Sequence, residues 1–380
     1  MNPQNHKNVF RISFYALLCC AFLNGAVFGA DATLPNAKKN AESKGYIFET
    51  SHDDIVAKAK KEGRLRVLVA LDPRSMKAAG EAFKRKYPFI DTRVEELSGL
   101  ENYTRMVQEM KAGLAKAWDV NYLAFEHYND YLPYQKKFDL LGMAQHGIIR
   151  ISPRLVDPVN RHIVAVQSNI QVIAYNKELL SEEKVPNSWE GFLRPEFKGR
   201  KFVVDVRPKT FAALAPTWGL EKVLDFSRKI AAQQPIWFRG DSRVLTFMLA
   251  GDLGLFLGPN YKTFKEVQLK DPRGVLGFKI AEPVPARLTE AEGVLGKAGN
   301  PYAGLLWLEF VCSPEGQKLL DEIDLAASLY TPGSIHEQIT RGKTISVMAW
   351  EHYTKMGHYE EQIVKAFGFP RAETTPKAGK

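Results

Sequence analysis

Cysteine is nearly absent from this 380-residue chain: there are three, and Cys19 and Cys20 lie in an apolar stretch near the N-terminus. Without that stretch Cys312 stands alone and no intramolecular disulfide can form, so the fold has to rest on its hydrophobic core. Catalytic signatures are missing as well. No G-x-S-x-G, H-E-x-x-H, Walker loop or G-x-G-x-x-G occurs, which withholds the nucleophile elbow, the zincin helix and the nucleotide cradle. The one string of this kind, Ser181-Glu182-Glu183-Lys184, satisfies S-x-x-K, but its two central acids and the following Pro186 describe an exposed turn. His352 and His358 are six residues apart and do not share a helical face as zinc ligands four apart would. Internal repeats are absent, and low complexity is confined to the termini.

The chain also lacks a run of about 20 apolar residues, the length a spanning helix needs. Residues 12–28 come nearest, and Asn24 and Gly25 interrupt them. Lys7 and Arg11 precede this run, and Ala30-Asp31-Ala32 follows with small residues at the two positions a signal peptidase reads. Residues 1–32 are therefore expected to be a cleaved signal peptide, and the mature protein to be a soluble exported chain beginning near Thr33. Leu17, Leu18 and Cys19 stand where a lipoprotein signal needs small residues before Cys20, which argues against a lipid anchor. Cys312, inside the apolar run 302–312, reads as a small core residue.

The formal net charge of +9 becomes +8 once Lys7, Arg11 and Asp31 are removed. Cations alternate with acids, as in 58–62 and 77–86, and form no stripe, so nucleic acid is not expected as a partner. A small anionic ligand remains attractive to a basic protein.

With 45% hydrophobic residues the chain can bury about two domain cores. Residues 64–71 read as a strand, 75–87 as a helix, 92–97 as a strand, 102–117 as a helix and 118–125 as a strand. A second block of the same kind follows: strand 201–206, helices 208–218, 220–232 and 242–250, and strand 253–258. Such alternation implies an α/β fold with mainly parallel sheets whose ligands sit beyond the carboxyl ends of the strands. Asp72, Arg207 and Tyr261 all follow such strand ends. Arg239 and Arg243 flank the cap region 240–242 of a helix, where a guanidinium could grip an oxyanion bidentately. Lys262 adds a further cation, so the site set read from the sequence is Asp72, Arg207, Arg239, Tyr261 and Lys262, with an anionic or oxygen-rich small solute.

Between the two blocks stands SNIQVIAYNKELLSEEKVPNSWEGFLRPEFKGRK, residues 168–201, which joins a buried-strand pattern to Trp, Pro and Gly punctuation. Together with KEGRLRV, EAFKRKYP, WDV, AGDLGLFLGPNY and EGVLGKAGNPYAGLLWLEFVCSPEGQKLL, it resembles the periplasmic solute-binding proteins of the iron(III), thiamine, polyamine and phosphonate type. The likeness spans roughly residues 58–334. It implies the two-lobed periplasmic-binding-protein fold of type 2: one lobe from residues 45–165 and 286–332, the other from 166–285, a C-terminal helical segment 333–372 and a frayed tail 373–380. Connecting strands are expected near 164–174 and 278–285. The same likeness implies delivery of the solute to an ABC permease by a monomer without cofactor or catalysis.

The iron branch of that family offers two adjacent tyrosines with a His and a Glu. Here the pair is Tyr261-Lys262, the His position is Asp72, and the carboxylate position is Ala124 with Glu126 two residues on. A lysine in such a site repels a trivalent cation. Two alternatives to an anion receptor remain at this level: an iron(III)-binding protein with an altered ligand set, and an exported enzyme using Asp72 or Glu126 as acid or base.

Overall fold

The computed structural model describes residues 33–376. The expected signal peptide, with Cys19 and Cys20, lies outside the described residues.

Helices α1 (Leu34–Ser43) and α2 (His52–Glu62) precede β1 (Arg64–Val69). Ser51 caps α2 by accepting from the Asp54 amide at 3.3 Å, and Gly63, at φ 65°, ends it in the left-handed conformation that glycine tolerates. There follow α3 (Pro73–Lys86), β2 (Asp91–Glu96), α4 (Leu100–Lys111), β3 (Val120–Tyr122) and the short helices α5 (Tyr128–Tyr131) and α6 (Leu140–Gln145), which lead to β4 (Val164–Asn176). The chain then makes β5 (Val203–Asp205), α7 (Lys209–Ala212), α8 (Ala215–Trp218), α9 (Leu220–Ala232), β6 (Ile236–Phe238), α10 (Asp241–Ala250), β7 (Leu255–Asn260), α11 (Tyr261–Gln268), β8 (Leu276–Lys279) and β9 (Val284–Val294). It closes with α12 (Pro301–Cys312), α13 (Pro314–Asp324), α14 (Ile335–Thr340), β10 (Ile345–Met348), α15 (Trp350–Tyr353) and α16 (Met356–Phe367).

The strands run in the order β2-β1-β3-β9-β4-β7-β5-β6, with β10 on β9 and β8 on β4. β1 pairs in parallel with β2 and β3, and β5 does the same with β6 and β7. These are the sheets of two lobes, and β4 and β9 cross between them. The first half of β4 pairs antiparallel with β9, from Val164–Glu292 to Ile170–Ala286, whereas its second half pairs with β7 and β8. Each sheet buries both faces. Val67, Phe83, Trp307 and Phe310 fill one side of the first lobe, and Leu68, Met106 and Tyr131 the other. In the second lobe the neighbours Val204 and Val203 point to opposite layers, one with Trp189, Phe211 and Phe226, the other with Phe238, Phe256 and Phe264.

Three expectations change. The second crossing strand is Val284–Val294, beyond the 278–285 read from the sequence, and Leu276–Lys279 forms the separate strand β8. Its two glutamates and small residues mask the apolar run that usually marks a buried strand. The C-terminal segment 333–372 is not helical throughout: within it Ile345–Met348 pairs in parallel with Val284–Arg287 before the chain turns helical again. The tail at Glu373 is tied down, its carboxylate gripping Arg200 at 2.6 and 3.0 Å and its amide donating to the Trp237 carbonyl at 2.7 Å. Residues 377–380 lie outside the described residues.

His336 on α14 is buried against β4, with Nδ1 3.1 Å from the Ala327 carbonyl and 3.3 Å from the Ser168 hydroxyl. Burial pushes its imidazole down to about 4. An unfolded histidine protonates near 6.5, so the native state binds fewer protons below that pH and loses stability as pH falls toward 4. The difference in unfolding free energy between wild type and His336→Phe should therefore change by up to ~3 kcal/mol between pH 7 and pH 4. Taking the difference cancels the other titrating groups. Denaturant titrations at several pH values read it, and a pH-independent difference would refute a neutral buried imidazole.

Candidate functional site

At the carboxyl ends of β5, β6 and β7 the second lobe opens a cavity of about 480 Å³ against the crossing strands. Two carboxylates organise its rim. Asp205 accepts from the Arg207 amide at 2.8 Å and the Gly240 amide at 3.0 Å, which clips the end of β5 to the loop after β6. It also holds the Arg207 guanidinium at 3.2 and 2.6 Å. Asp241 accepts from the Asn260 amide at 2.9 Å and joins α10 to the end of β7. Asn260 in turn caps α11 through the Lys262 amide at 2.8 Å. The Thr210 hydroxyl donates to the Gly258 carbonyl at 2.6 Å. Gly258 has φ 80°, and a Cβ there would lie 2.4 Å from Thr210 Cγ2, so glycine is what lets α7 seat so close to β7.

Cations converge on this space. Arg207, Lys209 and Arg243 line it from the second lobe, and Arg287 of β9 lines it beside Asn169 and Gln171 of β4. Arg207 is satisfied by Asp205, whose hydrogen bond raises its pKa. Lys209 has no ion-pair partner among the described residues. The Arg287 charge and then burial hold its ammonium below the usual lysine range. Arg287 is buried, with 7% of its surface exposed, and its Nε meets no hydrogen-bond acceptor. Its Nη1 rests 3.8 Å from Met356 Sδ. Glu360 of α16 supplies the foremost opposing charge, but from beyond ion-pair distance, and its Oε1 is likewise buried without a partner. Burial lifts both Glu360 and Asp241 above the ordinary carboxylate range, which weakens their hold on the cations. Buried guanidinium and ammonium groups left uncompensated are costly, and an incoming oxyanion would complete them. Asn169, Gln171, Asn260 and Thr263 add neutral polar contacts for a ligand's remaining oxygens.

Of the residues named from the sequence, Arg207 lines the cavity. Arg239 is exposed and stays outside it. Asp72 is engaged as the N-cap of α3, accepting from the Arg74 amide at 2.9 Å. Tyr261 is 3% exposed, its ring packed 5.4 Å from Phe278 and 6.1 Å from His336. Lys262 is spent on Asp324, at 2.6 Å. Sequence reasoning did not single out Lys209 and Arg287, both of which line the cavity. The signal for Arg287 was a lone arginine inside a strand-length stretch, VPARLTEAEGV.

A larger cavity, about 800 Å³, opens on the first lobe between Arg150, Tyr330 and α13. Its walls are mainly apolar and it lies away from the strand ends, so the smaller, charged cavity is the better candidate. Among the described residues, no group of three or more His, Cys, Asp or Glu is disposed to hold a metal ion.

No curated protein matches this sequence. Several solved structures share its fold. The ferric iron-binding protein A of Mannheimia haemolytica, in an open conformation, superposes with TM-score 0.64 at 16% identity over 81% of this chain and 99% of that one. The substrate-binding protein of an Agrobacterium tumefaciens ABC transporter gives 0.59 at 18% identity, over 81% and 96%. The Trichodesmium protein IdiA (FutA), solved with iron and citrate, gives 0.61 at 16% identity, over 81% and 100%. The model of the bacterial extracellular solute-binding protein family matches residues 133–355. This span holds both crossing strands and every residue of the cationic cavity, and the chain belongs to that family of bacterial extracellular solute-binding proteins.

Proposed function

We propose that the protein captures a small oxyanionic solute in the interlobe cavity and hands it to the permease of an ABC uptake system in the periplasm. The observation that carries this reading is the set of cations at the strand ends, Lys209 and Arg287 above all, neither of which has an ion-pair partner among the described residues. A phosphonate, phosphate ester or carboxylate supplies the two or three acceptor oxygens such a set requires. Bare iron(III), which some structural neighbours bind, meets the wrong sign of charge here, and Tyr261 is packed away from the cavity. The carboxylates of the cavity, Asp205 and Asp241, both accept from backbone amides, which suits a structural role at its rim.

Calorimetry against phosphonates, phosphate esters, carboxylates, free iron(III) and iron(III)–citrate tests the reading. The expected result is tight binding of one oxyanion class and none of free iron(III). Tight binding of the bare metal with no response to any organic anion would overturn it.

A further inference from the structure

Two ion pairs join the lobes without involving the cavity. Lys262, in the first turn of α11 on the second lobe, reaches Asp324 at the end of α13 on the first, with Nζ 2.6 Å from Oδ2. Arg74 of α3 approaches Glu266 of α11 at 3.8 Å. The first pair is the unusual one: the Asp324 side chain is completely enclosed and that of Lys262 is 22% exposed. Asp324 has no other ion-pair partner among the described residues, so the neutralising charge for a buried carboxylate of one lobe is carried by the other. Lys262 also lies in the field of Glu290, a buried carboxylate of β9 that accepts from the Ala70 amide at 2.6 Å, at the end of β1. Arg74 is 67% exposed, so its pair is screened and adds little.

We propose that Lys262 and Asp324 form an interlobe latch that biases the cleft toward closure before any solute arrives. Closing brings an ammonium onto a carboxylate in a water-poor contact, and opening separates them. The pair forms and breaks without touching the solute, so it biases the cleft even when the cavity is empty. Lys262 thereby acts as a positioning residue for binding while touching no ligand. The apparent affinity of the cleft scales with the fraction of molecules already competent, so the latch sets affinity from outside the site.

The test begins with solute-free protein. Spin labels on Lys77→Cys of α3 and Lys270→Cys beyond α11, both exposed positions, report the interlobe distance, and small-angle scattering reports overall size. Wild type should show mainly the short distance. Lys262→Ala and Asp324→Asn should each shift the population to a longer distance and a larger radius of gyration. The charge-exchanged pair Lys262→Asp with Asp324→Lys should restore the short distance, which a merely structural role would not do. Circular dichroism confirms that each variant is folded. In a second arm, the anion identified by calorimetry should bind Lys262→Ala roughly 3- to 10-fold more weakly, the inverse of the closed fraction. A solute-free wild type already open, or single variants with unchanged distances, would overturn the latch. Because the first arm contains no solute, it stands or falls independently of the anion reading.

Discussion

Replacing Arg287 with methionine should weaken capture of the oxyanionic solute by about 2–5 kcal/mol, the cost of removing one partner from a desolvated charge contact. Arg287 sits on a crossing strand, lines the cavity and has an unpartnered Nε, so its guanidinium is the group with most to gain from a bound anion. Loss of binding alone could reflect damage to the fold, because Glu360 would lose its foremost opposing charge. A second variant separates the two effects. Arg287→Met combined with Glu360→Gln removes both charges, and exchanging two opposite buried charges together for neutral groups of similar volume is far less harmful to stability than removing one alone. The double variant should regain the wild-type unfolding midpoint while affinity remains lost. Calorimetry and denaturant titration on the same preparations read both quantities, and wild-type affinity in the double variant would remove Arg287 from the site.

The second large effect concerns Trp189. Its indole is completely buried in the second lobe and donates from Nε1 to the Pro283 carbonyl at 2.9 Å, one residue ahead of the crossing strand β9. Trp189→Ala should cost ~3–5 kcal/mol through the cavity it leaves, plus about 1–3 kcal/mol for the carbonyl stripped of its donor. Trp189→Phe keeps much of the ring and should lose less, with the missing hydrogen bond making up most of the difference. Equilibrium unfolding in urea measures both. A loss under ~1 kcal/mol for the alanine variant would mean that the 181–199 segment does not anchor the start of β9.

Local chemistry accounts for what could be read early. Strands such as RLRVLV declare themselves by apolar and β-branched runs, helices such as 75–87 by apolar residues at helical spacing, and the alternation of the two leaves few topologies open. The Trp, Pro and Gly punctuation of 186–199 carried the family because those residues fill a core and shape turns at fixed offsets. Arg207 was legible for a similar reason, since the position after a parallel strand faces the ligand side whatever the rest of the sheet does.

The composition of the cavity depended on relations no local pattern holds. Asn169 and Gln171, Arg207 and Lys209, Arg243, Asn260 and Arg287 come from separate segments that meet only because β4 and β9 cross between the lobes. Tyr261 and Lys262 show the converse. Their place after β7 suggested a ligand contact, yet the register of α11 turns the tyrosine ring toward Phe278 and His336 and brings the lysine to Asp324. The sequence by itself determined the class of fold, the family and a strand end that carries an arginine, because periodicity, caps and turn chemistry act over a few residues. Only the tertiary structure decided which cations line the cavity and which face the other lobe. A charge is spent on whatever partner the packing brings within reach, and that partner lies far along the chain.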